Sequence, residues 1–433
     1  MKILIIGSGG RENALAWKIS ISKSFLESGS ELVCAPGNPG IARFGKCIEI
    51  RSDDTDAICA FAEEAGIELI VIGPEVPLAL GLADKLRSLG MLVFGPDKNA
   101  AEIESSKIFA KELMKKHGIP TARFRRFGRR DEEDAKTFIG NSRLPLVFKA
   151  DGLASGKGVI IAETMIDAES ALHEMLSEDS FGKSSDKFII EEYLEGEEVS
   201  VFCITDGDSF VLLPFSQDHK RAGEGETGKN TGGMGAVAPV KKFMSADLEK
   251  KISDRIIEPV LKAMRDEGRK FSGCLYCGLM ICNGEPFVVE FNCRFGDPET
   301  QSVLPLISSD FLEMLIASAS GNLRQYSIET NGLYSCCVVA ASGGYPGEFR
   351  KGAGIHGLDE AEEIALVFHS GTILESGVLK TSGGRVLSVV GLSEHSIDDA
   401  ARKAYEALAR IRFESIYFRR DIGWRLKAKE NTQ

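Results

Sequence analysis

The chain has no long hydrophobic run. Its apolar stretches fall short of the roughly 20 residues that a membrane-spanning helix needs, and the run that begins at Ile3 ends at Gly7, too early for a signal peptide. The 10 cysteines lie mostly in apolar segments such as 336–339, which is typical of reduced, buried thiols. We therefore expect a cytoplasmic protein that does not associate with membranes.

The chain also lacks an excess of positive charge. Its formal net charge of −12 argues against a protein that holds nucleic acid through its overall field. The basic and aromatic segment 123–127 precedes an acidic run at 131–134, so we predict a solvated strand edge with local charge pairing. Cys274 and Cys277 form a single C-x-x-C without a second pair or a nearby histidine, which is weak evidence for zinc.

The composition is that of ordinary globular domains, and the 433 residues are enough for several hydrophobic cores. Residues 1–102 alternate strand-like and helix-like signals, which predicts βαβ units and a parallel sheet. Glycine-bearing loops follow three of the strands, where ligands bind in such sheets. The predicted elements are, in order, Ile3–Ile6, Glu12–Ile21, Leu32–Ala35, Thr55–Ala65, Leu69–Gly73, Ala79–Leu89 and Leu92–Gly95.

The remaining segments mix strands and helices. Residues 103–120 hold a helix at 106–117 that ends before Pro120, and residues 121–191 read as a small α+β unit. Residues 192–325 and 326–433 read as further mixed units, so the fold class is α/β and α+β multidomain. The predicted elements are the strands Leu146–Lys149, Val159–Ala162 and Lys187–Glu191, a helix at Asp247–Met264, a hairpin of Cys274–Ile281 with Pro286–Phe295 around Asn283-Gly284, and a helix at Ile397–Ile411.

The segment 290–299 carries the clearest chemical pattern. Side chains alternate across a strand, so one face is predicted to hold the apolar residues Phe287, Val289, Phe291, Cys293 and Phe295 and the other to hold Glu290, Asn292 and Arg294. A carboxylate and an amide oxygen two residues apart suit magnesium, and an arginine suits a carboxylate or phosphate. The alternative is a strand whose polar face simply meets solvent.

The first glycine loop, Gly7-Ser8-Gly9-Gly10-Arg11-Glu12, follows a strand and opens a helix. Backbone amides and the helix dipole hold phosphate in that context. The loop is not a dinucleotide fingerprint, because Glu12 occupies the place of the third glycine and no ribose-binding acid ends the second strand near Ala35. Arg11 suits a terminal phosphate, so we predict a sugar phosphate or nucleotide here, with a structural turn as the alternative.

The second glycine loop spans residues 151–158. Its spacing is wrong for a P-loop, and the strand-like run at 159–161 follows it where a P-loop would open a helix. We predict a hairpin flap whose amides and Lys157 hold phosphates, with Lys149 at the end of the incoming strand. A plain hairpin without a ligand is the alternative.

Taken together, these motifs resemble the ATP-grasp superfamily and, within it, the glycinamide ribonucleotide synthetase family, also called phosphoribosylamine–glycine ligases. The resemblance runs nearly end to end, because several further motifs match. They are Gly73-Pro74-Glu75, Glu191-Glu192-Tyr193-Leu194, Ser216-Gln217-Asp218-His219-Lys220-Arg221, Asn230-Thr231-Gly232-Gly233-Met234-Gly235, the segment from Asn292 to Glu299, and Asp421-Ile422-Gly423-Trp424.

The resemblance implies an ATP-grasp fold with an N-terminal substrate domain (1–102), a helical connection (103–120), a mobile lid (121–191), a central ATP-binding domain (192–325) and a C-terminal domain (326–433). ATP and Mg²⁺ (or Mn²⁺) are the implied cofactors. Metal ligands would be Glu290 and Asn292. The ATP phosphates would contact Lys107, Lys149 and the flap residues Gly152, Ser155, Gly156, Lys157 and Gly158. Adenine would be held by Glu191, Glu192, Tyr193 and Leu194, partly through backbone groups, and the ribose would meet Glu198.

Substrate roles are implied in the same way. Arg294 would grip the glycine carboxylate and Asp297 its ammonium, and with Lys149 they are the implied catalytic residues; the alternative is that Arg294 and Asp297 pair with each other. The sugar phosphate would meet Gly9, Gly10 and Arg11, and the amine side would be lined by Asp218, His219, Lys220 and Asn230. Further implied substrate contacts are Glu12, Glu75 and Thr231. Asn13 stands where the family usually has histidine, so we expect hydrogen bonding but no proton transfer at that position. The strand 275–281 offers no further metal-binding carboxylate, so we expect the metal to have few protein ligands.

The implied reaction joins glycine to 5-phosphoribosylamine with ATP, through glycyl phosphate, to give glycinamide ribonucleotide, ADP and phosphate in purine biosynthesis. We expect a monomer or a weak homodimer. The rival hypotheses are another ATP-grasp ligase, an adenylate-forming ligase that releases AMP, and a nucleotide-binding sensor without turnover. An NAD-dependent oxidoreductase is disfavoured by Glu12.

Overall fold

The N-terminal part is a parallel sheet covered by helices, as predicted. The computed structural model describes residues 1–153, 158–177, 187–241 and 244–426. The sheet order is β3-β2-β1-β4-β5, all parallel. Its strands are β1 (Lys2–Gly7), β2 (Glu31–Pro36), β3 (Lys46–Cys47), β4 (Leu69–Ile72) and β5 (Leu92–Phe94). Its helices are α1 (Gly10–Ser20), α2 (Lys23–Glu27), α3 (Thr55–Ala65), α4 (Glu75–Ala79) and α5 (Leu82–Ser88).

The helix predicted at 79–89 is wrong in its extent. Gly81 lies between α4 and α5 with φ +84°, a left-handed conformation that ends one helix and begins the next. The short α4 instead begins at Glu75, directly after β4, which brings that carboxylate to the carboxyl edge of the sheet. Two further helices, α6 (Lys98–Ser105) and α7 (Lys107–His117), lead out of this part.

Residues 121–192 form the predicted small α+β unit, referred to below as the lid. Its antiparallel sheet has the order β6-β9-β7-β8 and carries two helices. The elements are β6 (Phe124–Gly128), α8 (Glu132–Gly140), β7 (Leu146–Ala150), β8 (Val159–Ala162), α9 (Met165–Leu176) and β9 (Lys187–Glu192). Edge strand β6 pairs Arg125 with Asp134 at 3.8 Å, which confirms the predicted strand edge with local charge pairing.

The central sheet is antiparallel, with the order β11-β10-β16-β17. Asn283 and Gly284, both at positive φ, join its last two strands and confirm the predicted hairpin. The strands are β10 (Glu197–Thr205), β11 (Phe210–Leu212), β16 (Gly273–Cys282) and β17 (Glu285–Asn292). The helices are α10 (Ala246–Ile252), α11 (Glu258–Asp266) after a π turn at Ser253–Ile257, α12 (Glu299–Val303) and α13 (Phe311–Ser320).

A fourth sheet crosses the expected boundary between the central and C-terminal parts. Its order is β12-β15-β18-β22-β19, with β23 beside β18. The strands are β12 (Gln217–Asp218), β15 (Gly235–Ala238), β18 (Tyr334–Ser342), β19 (Leu366–His369), β22 (Arg385–Ser393) and β23 (Ile416–Tyr417). Two small hairpins join β13 (Arg221–Gly223) to β14 (Thr227–Asn230) and β20 (Thr372–Glu375) to β21 (Val378–Thr381). The helices are α14 (Leu358–Glu362) and α15 (Ile397–Leu408).

A β-bulge interrupts the predicted alternation on β17. Gly278 pairs with Glu290 and Leu279 with Val288, so Val289 is the extra residue. The prediction that Phe287 and Val289 are buried is therefore wrong, and Val288 is buried in their place. Downstream of the bulge, the predicted burial of Phe291, Cys293 and Phe295 is confirmed.

All ten cysteines lie within the described residues and are free thiols, most of them buried, as predicted. Burial raises the pKa of Cys274 and Cys277 on β16, so both stay protonated, each in a different hydrophobic core. Across the ranges that the structure describes, no helix combines the length and apolar character that crossing a bilayer requires.

Candidate active site

Glu290 and Asn292 lie two residues apart on β17, at the end that faces the lid. Burial raises the pKa of Glu290, but Lys220, Lys149 and Lys107 lower it by more, so the net shift is downward and the carboxylate is ionised. Carboxylate and amide oxygens are the donor type that Mg²⁺ takes up, so this pair fits the metal.

The neighbouring strand β16 leaves little room beside Glu290. Gly278 lies opposite Glu290 on β16, and a side-chain carbon there would approach Glu290 Cγ to 3.2 Å. Among the residues that the structure describes, no three histidine, cysteine or acidic side chains converge as a metal-binding group. Water and phosphate oxygens would therefore have to complete the coordination.

An ammonium group lies inside the acidic cluster beside Glu290. Lys220 Nζ hydrogen-bonds Glu198 and lies 3.6 Å from Glu290 Oε1 and 4.0 Å from Asp218 Oδ2. Burial raises the pKa of Asp218 well above its ordinary value, although Lys220 opposes the shift. Asp218 Oδ1 has no hydrogen-bond partner among the described residues. The predicted ribose contact Glu198 thus shares one charged pocket with Asp218 and Lys220 of the predicted amine side.

The lysines predicted to hold phosphates lie where the lid meets β17. Lys149 forms an ion pair with Glu191 and donates to the carbonyl of Val289, the bulged residue, at 3.1 Å. Lys107 donates to the carbonyl of Gly152 at 2.9 Å, at the base of the predicted flap. The strands that flank the flap, β7 and β8, pair antiparallel, which confirms the predicted hairpin connection. The predicted contacts Ser155, Gly156 and Lys157 lie outside the described residues.

In the segment predicted to hold adenine, the two acidic side chains already have partners. Glu191 pairs with Lys149 and Lys111, and Glu192 pairs with Arg123 at 3.0 Å. Tyr193 is exposed and Leu194 is half-buried. Backbone groups rather than carboxylates are thus the atoms that this segment can offer to a base.

Arg294 is held between two carboxylates. Its Nε lies 3.2 Å from Glu75 Oε2, and one terminal nitrogen lies 3.1 Å from Glu104 Oε1. Glu104 is buried and also accepts hydrogen bonds from the amide of Cys293 at 2.8 Å and from its thiol at 3.0 Å. Burial raises the pKa of Glu104, although Arg294 opposes the shift. Sequence reasoning missed Glu104, because nothing within α6 distinguishes it from a surface glutamate.

Asp297 pairs with the C-terminal domain and not with Arg294. Its Oδ1 lies 3.3 Å from Arg385 and accepts from Gln301 at 2.8 Å, and its Oδ2 accepts from the amide of Arg11 at 3.4 Å. Arg385 also donates to the carbonyls of Asp297 and Gly232 at 2.6 and 2.7 Å. Arg385 follows a turn with no motif of its own, and only the sheet pairing of β22 with β18 brings it here.

The first glycine loop lies against the segment 295–297. Glu12 accepts from the amide of Gly9 at 2.6 Å and also from the guanidinium of Arg11. Arg11 donates to the carbonyl of Phe295 at 3.0 Å, so its side chain is buried. A side-chain carbon at Gly73 would lie 2.1 Å from Glu12 Oε1, which shows how closely the loops after β1 and β4 approach.

The amine-side residues of the β12–β15 segment connect to the C-terminal domain. His219 Nε2 accepts from the amide of Gly423 at 3.2 Å, and Thr231 donates to the carbonyl of Lys220 at 2.8 Å. Asn230 ends β14, where it pairs with Arg221. Asn13 keeps a hydrogen-bonding role, since its Oδ1 accepts from the amide of His369 at 2.6 Å.

We expect two buried histidines to weaken the fold at acid pH. Burial lowers the pKa of His219 to about 3 and that of His369 to about 4. Below the ordinary value of about 6.5, the unfolded chain then binds protons that the folded chain does not, so stability falls by about 1.4 kcal/mol per pH unit for each histidine. The thermal midpoint of His369→Gln should therefore fall less than that of wild type between pH 6.5 and 4.5. Equal falls would contradict the assignment.

The chain matches three family models in succession. Residues 1–104 match the phosphoribosylglycinamide synthetase N domain, residues 105–300 its ATP-grasp (A) domain and residues 335–425 its C domain. The chain belongs to the phosphoribosylglycinamide synthetase family. The resemblance noted from the sequence motifs is thereby confirmed.

This synthetase-family chain is also similar in sequence to curated relatives over nearly their full length. A phosphoribosylamine–glycine ligase from Caldanaerobacter subterraneus subsp. tengcongensis is 43% identical over 422 residues, covering 98% of this chain and 99% of the relative. The enzyme of the same name from Escherichia coli O157:H7 is 43% identical over 435 residues, covering 99% and 100%.

Solved structures confirm the predicted multidomain ATP-grasp fold. The phosphoribosylamine–glycine ligase of Thermotoga maritima superimposes with a TM-score of 0.85 at 35% identity, covering 98% of this chain and 100% of that one. The biotin carboxylase domain of the Hydrogenobacter thermophilus 2-oxoglutarate carboxylase, in complex with MgADP, has a TM-score of 0.70 at 19% identity, covering 96% and 91%. At that identity the second likeness shows the fold alone.

Proposed function

We propose that this synthetase-family chain is an ATP-dependent carbon–nitrogen ligase that joins glycine to 5-phosphoribosylamine. The products are glycinamide ribonucleotide, ADP and phosphate, in purine biosynthesis. One observation carries the proposal: the segment after β17 is the meeting point of all three family domains. It contacts the N domain through Arg11 and the C domain through Arg385, beside the metal-binding pair on β17.

The chemistry requires activation, because a carboxylate resists attack by an amine. A glycine carboxylate oxygen attacks the γ-phosphorus of ATP, the bond to the β-phosphate oxygen breaks, and ADP leaves. The nitrogen of the ribosylamine then attacks the acyl carbon of glycyl phosphate, the carbon–oxygen bond breaks, phosphate leaves, and the nitrogen loses a proton. No side-chain nucleophile is needed, so positioning and charge neutralisation are the main tasks of the protein.

ATP and Mg²⁺ (or Mn²⁺) are the cofactors of this reaction. Glu290 and Asn292 would hold the metal, which when bound neutralises phosphate charge. Lys149 of the lid and Lys107 of α7 would hold the phosphate oxygens. The contact of Lys149 with Val289 of β17 and that of Lys107 with Gly152 of the flap support this role. The backbone at 191–194 would receive adenine, since the carboxylates of that segment already have cationic partners.

The substrates would bind along the joint between the domains. We assign the glycine carboxylate to Arg294 and the glycine ammonium to Asp297, each of which already has charged partners that the substrate must join or replace. We assign the sugar phosphate to Gly9, Gly10 and Arg11, where it would have to replace Glu12 as the partner of the Gly9 amide and the Arg11 guanidinium. The amine side would be formed by Asp218, His219, Lys220, Asn230 and Thr231, and Glu12 and Glu75 would be further substrate contacts.

Several finer assignments belong to the same proposal. The chain would act in the cytoplasm as a monomer or weak homodimer. Its functional segments would be 1–102, 103–120, 121–191, 192–325 and 326–433, and the hairpin flap at 152–158 would close over the phosphates and keep water from glycyl phosphate.

Product analysis tests the function directly. With MgATP, glycine and freshly made 5-phosphoribosylamine, we expect stoichiometric ADP and glycinamide ribonucleotide. We expect no ADP without glycine, and no more than about one ADP per enzyme molecule without the ribosylamine. Replacing glycine with alanine or serine separates this enzyme from another ATP-grasp ligase. Release of AMP would identify an adenylate-forming ligase, and ATP binding without turnover would identify a sensor. Either result contradicts the proposal.

A further inference from the structure

A buried lysine that no motif singled out completes an ion-pair triad behind the phosphate-binding lysine. Lys111 lies on α7, one turn after Lys107, and is 3% exposed. Its ammonium group pairs with one carboxylate oxygen of Glu191, while Lys149 pairs with the other. Burial raises the pKa of Glu191, but Lys149 and Lys111 lower it by more, so the carboxylate is ionised.

The triad closes into a ring across three parts of the fold. Lys111 Nζ donates to Thr121 Oγ1 at 2.7 Å, and that hydroxyl donates to the carbonyl of Val288 at 2.7 Å. Lys149 Nζ donates to the next carbonyl, that of Val289, at 3.1 Å. The two ammonium groups are thus fixed to neighbouring residues of the bulge, and the bulge directly precedes Glu290.

We infer that Lys111 is a positioning residue: it keeps Glu191 neutralised so that Lys149 can turn from Glu191 to the phosphates of ATP. The inference rests on the proposed role of Lys149 in binding ATP. A buried carboxylate with a single counter-ion holds that counter-ion tightly, because losing it would leave an unpaired charge in a poorly solvated site. A second ammonium group removes this obstacle. Lys111 is buried and is held by Glu191 and Thr121, so we assign it to Glu191 and not to the ligand.

Lys111→Met tests the inference. We expect the dissociation constant of MgATP, measured by calorimetric titration without glycine, to rise about 10-fold, and the KM for ATP to rise with it. The KM for glycine should stay within about two-fold of wild type, which a general loosening of the fold would not preserve. Lys115→Met is the matched control, because Lys115 lies on the same helix, is exposed and also lies near the Phe124 ring, at 5.9 Å. It should leave ATP affinity unchanged.

The double variant Lys111→Met/Glu191→Gln provides the decisive comparison. Removing the carboxylate together with its counter-ion should return ATP affinity to within about three-fold of wild type, because Lys149 is then free. Wild-type affinity in Lys111→Met, or a double variant no better than the single one, would overturn the inference. If Lys111→Met does not fold, Glu191→Gln is compared with the double variant: equal affinities support the inference, and a further tenfold loss contradicts it.

Failure of the proposed function and failure of the role assigned to Lys111 give different experimental results. If wild type itself does not bind MgATP, the proposed function fails. If wild type binds MgATP and turns over, but Lys111→Met behaves as wild type does, only the role of Lys111 is wrong.

Discussion

Replacing Glu290 with alanine should reduce ADP formation by about 10³-fold or more. The only other metal ligand assigned on β17 is Asn292, and an amide oxygen carries no charge to balance a divalent cation. Losing metal stabilisation of the transferring phosphoryl group removes several kcal/mol, and about 4 kcal/mol corresponds to a factor of about 10³. Initial rates of ADP release with all three substrates present measure the effect.

A second measurement separates metal loss from damage to the fold. Calorimetric titration should show that magnesium no longer strengthens ATP binding to Glu290→Ala, while the thermal midpoint stays near that of wild type. Glu285→Ala is the matched control: it lies on the same strand but pairs with Lys251 and Arg255 at the surface. Unchanged turnover in Glu290→Ala would refute the metal-site assignment.

We expect Arg294→Met to lower the free energy of unfolding and to abolish ligation. The substitution leaves Glu75 and Glu104 without the charge that lies 3.2 and 3.1 Å from them. Breaking a buried ion pair by removing one partner costs about 3–5 kcal/mol, because the remaining charge is poorly solvated. A clearly lower thermal midpoint, together with loss of ADP formation at saturating glycine, is the expected result.

A rescue experiment distinguishes the two effects of Arg294→Met. Adding Glu104→Gln should restore much of the stability, since the more deeply buried carboxylate is then neutral, but it should not restore activity if Arg294 binds glycine. Arg51→Met is the control for an exposed arginine pair: Arg51 bonds Asp53 at the surface, where solvent screens the charges, so the thermal midpoint should stay near that of wild type. Recovery of ligation in the double variant would remove Arg294 from the glycine site.

Local patterns predicted the parts of the fold that depend on neighbours in sequence. The structure confirms the Asn283-Gly284 turn, the parallel sheet implied by the βαβ alternation, and the hairpin around the second glycine loop. The sequence predictions were wrong where the backbone conformation changes within a predicted helix or strand. Gly81 divides a predicted helix, and the bulge at Val289 shifts which residues of β17 are buried.

Several side chains at the site could not be found this way. Glu104, Arg385 and Lys111 come from two helices and a distant strand, and each acts by pairing with a residue far away in sequence. Lys111 had one usable signal, because it lies four residues after Lys107 and so on the same face of α7. Arg385 had none, since its position depends on sheet pairing.

The sequence by itself determined the family, the domain order and the chemical character of β17, because these follow from residue types at fixed local spacing. Only the tertiary structure decided which charges neutralise one another. It joined Arg294 to Glu75 and Glu104, Asp297 to Arg385, and Lys149 to Glu191. The reason is physical: a buried charge takes whichever opposite charge the packing of the domains brings within a few ångströms, and sequence separation does not affect that distance.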